Sequence, residues 1–443
     1  MKSLLLTLPL LLVSLLATAA PNWPTQRGPL SNGSGADGMT LPERFSPTEN
    51  VVWKTKLPGS SPATPIVWDD HVFVTAADHD KKELHAICLD AKTGKIRWSH
   101  VVAKGRVHID ERSDFASPSP VTDGKHVAFF FGNGDLIVYG MDGKERWRKN
   151  LIGSDDHYFA FQWTFSSSPI LWNDLLIMQV LQRNTPFNYG ELQRGKAGAQ
   201  SIPSYLVAFD FATGKQRWRI ERPAKAVAES LEAFTTPVID RPGPDEPWQL
   251  LVAGGDALTG HDPSSGKELW RWETWNPGKI GHWRLVPSPV AGKGVALACA
   301  PKKSPVYAVD MKTSKLLWKS EDKEVSSDVC TPLFYKGYFY VLNGEFKEKR
   351  LSCIDPRSGK VRWTGNIGSR AKIEASPTAA DGKIYFQDHT GKVFVVAADP
   401  DKFTLLHQVE FADRTVRNQR SSLALANNRL FLRSRETLYC LGK

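Results

Sequence analysis

Hydrophobic and polar positions along the chain repeat a single cycle. Each cycle opens on Ser or Thr, usually followed by Pro, and runs into apolar segments such as Val72 to Thr75, Tyr338 to Val341 or Ile384 to Gln387, rich in β-branched and aromatic residues. A second apolar strand follows and enters a turn that reads Asp, two residues, Thr or Ser, Gly, Lys, two residues, Trp. The openings are Thr64-Pro65, Ser119-Pro120, Ser168-Pro169, Thr236-Pro237, Ser288-Pro289, Thr331-Pro332, Ser376-Pro377 and, without proline, Ser421-Ser422. Four turns are intact, from Asp90 to Trp98, Asp210 to Trp218, Asp262 to Trp270 and Asp355 to Trp363. Two are degenerate: Ser314 replaces Gly between Asp310 and Trp318, and the turn from Asp142 to Trp147 is shorter.

The turn chemistry is that of a β-hairpin. Asp hydrogen-bonds nearby backbone, Gly takes a positive φ, and Lys starts the return strand. A Trp at one position per cycle suits burial between neighbouring sheets. Trp53, 98, 147, 218, 270, 318 and 363 are separated by 45, 49, 71, 52, 48 and 45 residues, and about 45 residues accommodate four strands with turns. The 71-residue interval carries a polar insertion, Arg183 to Ser204, expected as a long loop. His407 stands at the next equivalent position, and the final strand, Leu438 to Leu441, has no Trp strand after it. Val51 to Lys54 supplies the missing strand, so the two ends complete one unit and close a ring. The expectation is all-β: an eight-bladed β-propeller of four-stranded antiparallel blades over residues 51–441, with a seven-bladed ring as the alternative.

The first residues add a compartment. Lys2 gives a positive start, Leu4 to Leu16 is almost wholly apolar, and Ala17-Thr18-Ala19 offers a small-x-small cleavage site, so residues 1–19 are expected to be a secretory signal peptide. Residues 20–50 follow as an irregular leader. No later stretch reaches the roughly 20 apolar residues of a transmembrane helix, so the expected product is exported, periplasmic or secreted, and monomeric.

Charge changes the picture little. Of 443 residues, 57 are Lys or Arg and 47 Asp or Glu, a formal charge of +10. Lys95, Arg97, Lys144, Arg146, Lys215 and Arg217 are among ten cations that belong to the repeated turns, so symmetry spreads them around the ring. A spread ring is not the one-sided patch that nucleic acid requires, and no nucleic-acid partner is expected.

The turn written Ala208-Phe-Asp210 through Trp218 resembles the tryptophan-docking motif of quinoprotein, or PQQ-like, propellers. Two branches of that family are relevant. The PQQ-dependent dehydrogenases hold a quinone and Ca2+ on the propeller axis beneath two adjacent, disulfide-joined cysteines. Here Cys88, Cys299, Cys330, Cys353 and Cys440 are all separate, no haem-attachment motif occurs, and the acidic clusters Asp78-His-Asp80 and Asp110 to Asp114 lack a Ca2+-loop pattern. The BamB-type branch resembles an eight-bladed, cofactor-free scaffold of outer-membrane protein assembly. The chain departs from it in having no cysteine just after the signal to carry a lipid.

The resemblance and the absence of catalytic motifs together imply a non-catalytic exported scaffold that binds a protein or carbohydrate partner in the cell envelope, with no cofactor or metal. A PQQ/Ca-dependent dehydrogenase acting on an alcohol or sugar is the alternative. Cys88, Cys353 and Cys440 occupy the small-residue position before the turn and are expected to be buried and unpaired. Any ligand site is expected in the loops crossing from each outer strand to the next inner strand. Three are rich in chemistry: His108, Asp110 and Asp114; His157, Tyr158 and Trp163; and His282, Trp283 and Arg284.

Overall fold

The structure, a computed structural model, describes residues 21–110, 113–152, 161, 163–184, 187–189, 192–194, 202–273, 275–411 and 418–442. The expected signal peptide therefore lies outside the described residues.

Eight four-stranded antiparallel sheets follow one another around an axis. Numbered in chain order, blades 1 to 7 run over 66–104, 121–150, 170–221, 238–273, 290–319, 333–366 and 378–410. Blade 8 combines Ala424–Ala426, Arg429–Ser434 and Thr437–Leu441 with Val51–Lys56 from the other end of the chain. The eight-unit ring and its closure by the terminal strands are as the repeat predicts, and the closing register pairs Trp53 with Cys440. The insertion in blade 3 carries a small hairpin of Phe187–Tyr189 and Leu192–Arg194. Among the described residues no helix is long and apolar enough to cross a membrane.

Burial explains why the strands read as they do. The two middle strands of a blade face neighbouring blades on both sides, so His71–Asp78 and Glu83–Asp90 are buried almost throughout. Outer strands lie at the rim and alternate, as in Glu145–Asn150. The apolar core sits between blades: one cluster joins blades 1 and 2, another blades 6 and 7, and a large one blades 7, 8 and 1 with the leader.

The turn repeat fastens these interfaces. Asp90 Oδ1 accepts hydrogen bonds from the backbone N–H of Lys92 and Thr93 and from the Thr93 hydroxyl, and Asp355 does the same in blade 6. Gly94, Gly143, Gly214, Gly266 and Gly359 have φ between 71° and 77°. Each also lies under the Trp of the preceding blade, where a Cβ would approach the indole to 2.6–2.8 Å. Trp53, Trp98, Trp147, Trp318 and Trp363 donate their indole N–H to a carbonyl in the next blade's turn, at 2.8–3.2 Å. The degenerate turn behaves differently. Ser314 holds φ 56° at the glycine position, and the incoming Trp270 donates instead to Gln249 Oε1 of its own blade.

Residues 21–50 form no long strand or helix, and they cross the ring. Trp23 pairs with Val67 of blade 1, Pro24 O accepts from Thr122 of blade 2, Asn32 O accepts from Phe334 of blade 6, and Ser34 pairs with Ala379 of blade 7. Arg27, 3% exposed, donates to the carbonyls of Pro332 and Pro377, and burial lowers its pKa to about 9. Phe45 O then takes the N–H of His407, the residue standing in for Trp in blade 7. All five cysteines are buried and unpaired, and burial pushes their thiols up.

Candidate functional site

The Ser/Thr openings of the cycles meet at the axis. The backbone N–H of Thr64 donates to the Ser119 hydroxyl, and the pattern continues through Ser168, Thr236, Ser288, Thr331 and Ser376, six bonds of 2.8–3.0 Å linking seven blades. Six of these hydroxyl oxygens, from Ser119 to Ser376, accept from the neighbouring blade, which leaves their own protons to donate. The proline that follows has no N–H to satisfy and starts the short inner strand.

Above this tier lies a cavity of about 270 Å3, walled by every blade. Its walls follow a rule in the sequence: the residue two before each Ser or Thr, counted in the eighth cycle from Ser422, lines it. Six of these are uncharged, Pro62, Ser117, Ser166, Phe234, Val286 and Val329; the other two, on adjacent blades, are Glu374 and Arg420. Gln26 of the leader also contributes to the lining.

The charges in the cavity come as pairs. Arg420 Nε donates to Glu374 Oε2, and His389 Nε2 lies 2.9 Å from the same oxygen. Burial opposes the charge on Glu374, yet these two donors hold its carboxyl well below the ordinary range. Nearby Glu345 is pushed the other way by burial, although Lys372 Nζ lies 2.9 Å from its Oε2. Across the cavity Arg284 donates to Glu229 Oε1 at 2.5 Å and lies over the ring of Trp163, which donates to the same oxygen at 2.7 Å.

Of the residues expected from sequence, Trp163 and Arg284 therefore come together at this cavity from two different crossing loops. His282 is exposed and Trp283 half-buried, and neither lines it. His108 and the buried Asp114 lie between blades 1 and 2, beside His79: the His79 and His108 rings are 5.0 Å apart, and His79 Nε2 is 3.8 Å from Asp114 Oδ2. His157, Tyr158 and the side chain of Asp110 lie outside the described residues. Glu374, Arg420, His389 and Glu229 were not anticipated, though the position two before the opening Ser, Ser376 and Ser422, was the signal that finds the first two.

The family model described as "Outer membrane protein assembly factor BamB" matches residues 46–188, 193–345 and 302–441. The chain belongs to this family of PQQ-like propellers. Tetrathionate hydrolase of Acidithiobacillus ferrooxidans is 26% identical over 423 residues, 84% of this chain and 78% of that protein. Among solved structures, BamB from Moraxella catarrhalis superposes with a TM-score of 0.60 at 14% identity, over 89% of this chain and 99% of that one. The quinohemoprotein alcohol dehydrogenase from Comamonas testosteroni gives 0.65 at 13% identity, over 96% and 81%. An assembly factor, a hydrolase and a dehydrogenase are thus all similar to this chain, and the fold does not choose between their activities.

The cavity lining bears on the quinone of the dehydrogenase branch. A quinone bearing three carboxylates needs uncompensated cations or a metal. Arg284 and Arg420, however, each already carry a carboxylate. Among the described residues, the one three-ligand group able to hold a cation, Asp78, Glu83 and His85, is not in the cavity lining. The described residues do not fit that cofactor.

Proposed function

We propose that the protein is an exported propeller that acts as a binding module in the cell envelope, engaging a protein or glycan partner at its axial face. The observation that carries this reading is the cavity itself. It presents hydroxyls, an aromatic wall at Trp163 and side-chain charges neutralised in pairs, which suits recognition of a polar, near-neutral segment. The BamB family match supports a protein partner. Crosslinking in the native envelope followed by mass spectrometry tests the reading. Recovery of a defined envelope protein or glycan through the axial face supports it, and recovery of none removes it.

A second reading is favoured by one arrangement. Glu345 and Glu374 are neighbouring carboxyls driven in opposite directions, the condition under which one serves as an acid and the other as a base. With the relation to tetrathionate hydrolase, this supports hydrolysis of a small sulfur oxyanion. Incubating the purified protein with tetrathionate separates the readings: turnover abolished by Glu374→Gln supports the enzyme, and inertness removes it. Titration with PQQ and Ca2+, followed by Trp fluorescence and dye-linked oxidation of alcohols and sugars, tests the dehydrogenase reading, and saturable quenching with turnover would revive it.

A further inference from the structure

Blade 1 carries a second polar cluster, away from the cavity, on the hairpin joining its middle strands. Asp78 lies directly across from Glu83, and His85 follows Glu83 by two residues. The pleat therefore puts all three side chains on one face. One ligand atom from each lies within 4.8 Å of the others.

His85 separates this group from an ordinary acidic turn. The residue is 6% exposed, and its Nε2 is buried without a hydrogen-bond partner. Glu83 Oε2, 3.5 Å away, is a neighbour at the limit of contact. A buried ring nitrogen left in that state is costly, and a cation beside it removes the cost.

The two carboxylates are each tethered through one oxygen. Asp78 Oδ1 accepts the backbone N–H of Asp80 and Lys81 at 3.1 and 2.9 Å, and Glu83 Oε1 is 2.9 Å from Lys104 Nζ. Outer partners of this kind orient metal ligands and leave the other oxygen to bind. The Lys81 ammonium is 3.6 Å from Asp78 Oδ2, on a side chain 70% exposed that can swing into solvent.

The geometry points to a divalent-cation site formed by Asp78, Glu83 and His85, taking a first-row transition ion of the Zn2+ class. One imidazole nitrogen and two carboxylate oxygens match that class, whereas Ca2+ takes six to eight oxygens. Ligands of a tetrahedral ion lie about 3.4 Å apart, so small rotations of Asp78 and Glu83 about the fixed His85 complete the site. Three protein ligands leave one position open to water or a ligand. The site adjoins the ring closure, where Arg433 of blade 8 donates to the carbonyls of Thr75 and Gly59 and Ser60 pairs with Ala77.

The test is calorimetric titration of the tag-free, chelator-treated protein with Zn2+, with Co2+ and visible spectroscopy as a second probe and Ca2+ as the contrast. The result expected is one saturable equivalent of Zn2+, Co2+ bands of a nitrogen-containing site, and at least about tenfold weaker binding in His85→Gln and Glu83→Gln. Glu83→Gln keeps side-chain shape, His85→Gln keeps a neutral polar group of similar reach, and circular dichroism checks the folding of both. Four results would overturn the assignment: no saturable Zn2+ binding, binding unchanged in both variants, binding of Ca2+ alone, or binding lost in His108→Gln and kept in His85→Gln.

Discussion

At the scale of the residue, the glycine of each turn serves two ends, and one pair of substitutions separates them. Gly359 has a positive φ and an indole on top of it; Ser314 has the positive φ and already carries a Cβ, and the Trp270 of the preceding blade bonds elsewhere. Gly359→Ala is expected to cost more than about 2 kcal/mol, from backbone strain and displacement of Trp318, whereas Ser314→Ala stays within about 0.5 kcal/mol. Equal losses in chemical denaturation would contradict the docking account. A second residue makes a pH prediction. Burial, with the Arg222 charge nearby, lowers His261 to about 4, and its ring bonds Gly266 O and Thr259 Oγ1. The unfolded chain then takes up the proton first. Stability from this residue is complete above pH 6.5 and falls as pH drops towards 4, by about 3 kcal/mol. His261→Gln should be less stable at pH 7 and show a flatter acid limb; an unchanged limb would assign the acid sensitivity elsewhere.

At the scale of the element, the strand Val51–Lys56 carries the closure of the ring. Trp53 is 8% exposed, donates to Ala91 O at 2.9 Å and covers Gly94 of blade 1. Trp53→Ala is expected to cost about 3–5 kcal/mol, measured by denaturant unfolding, and a loss under about 1 kcal/mol would argue against closure by this strand. This element was legible because a missing Trp strand at one end matched a spare one at the other. The leader was legible only as irregular. Its path across the axis depends on single carbonyls and on the buried Arg27, and neither has a periodic trace in the sequence. The cluster at Asp78, Glu83 and His85 was half visible, since Asp78 was noticed, but strand pairing was needed to bring Glu83 and His85 to it.

At the scale of the whole molecule, symmetry decides what a sequence can disclose. Features repeated around the ring, the six turns, the seven docking Trp residues and the eight Ser/Thr openings, stand out against the rest and give the architecture. The candidate site consists of departures from the repeat: Glu374 and Arg420 where other blades place uncharged residues, Trp163 and Arg284 from loops far apart in the chain. Such residues meet only because a ring brings all crossing loops to one axis. The central claim is that this axial cavity is where the partner is engaged. A photo-crosslinking residue placed at Val286, inside the cavity, and separately at Leu316, exposed on the outer rim, tests it in the native envelope. The account predicts a defined protein or glycan adduct from position 286, lost in Arg420→Met, and none from position 316. Adducts from 316 alone, or from neither position, would contradict it.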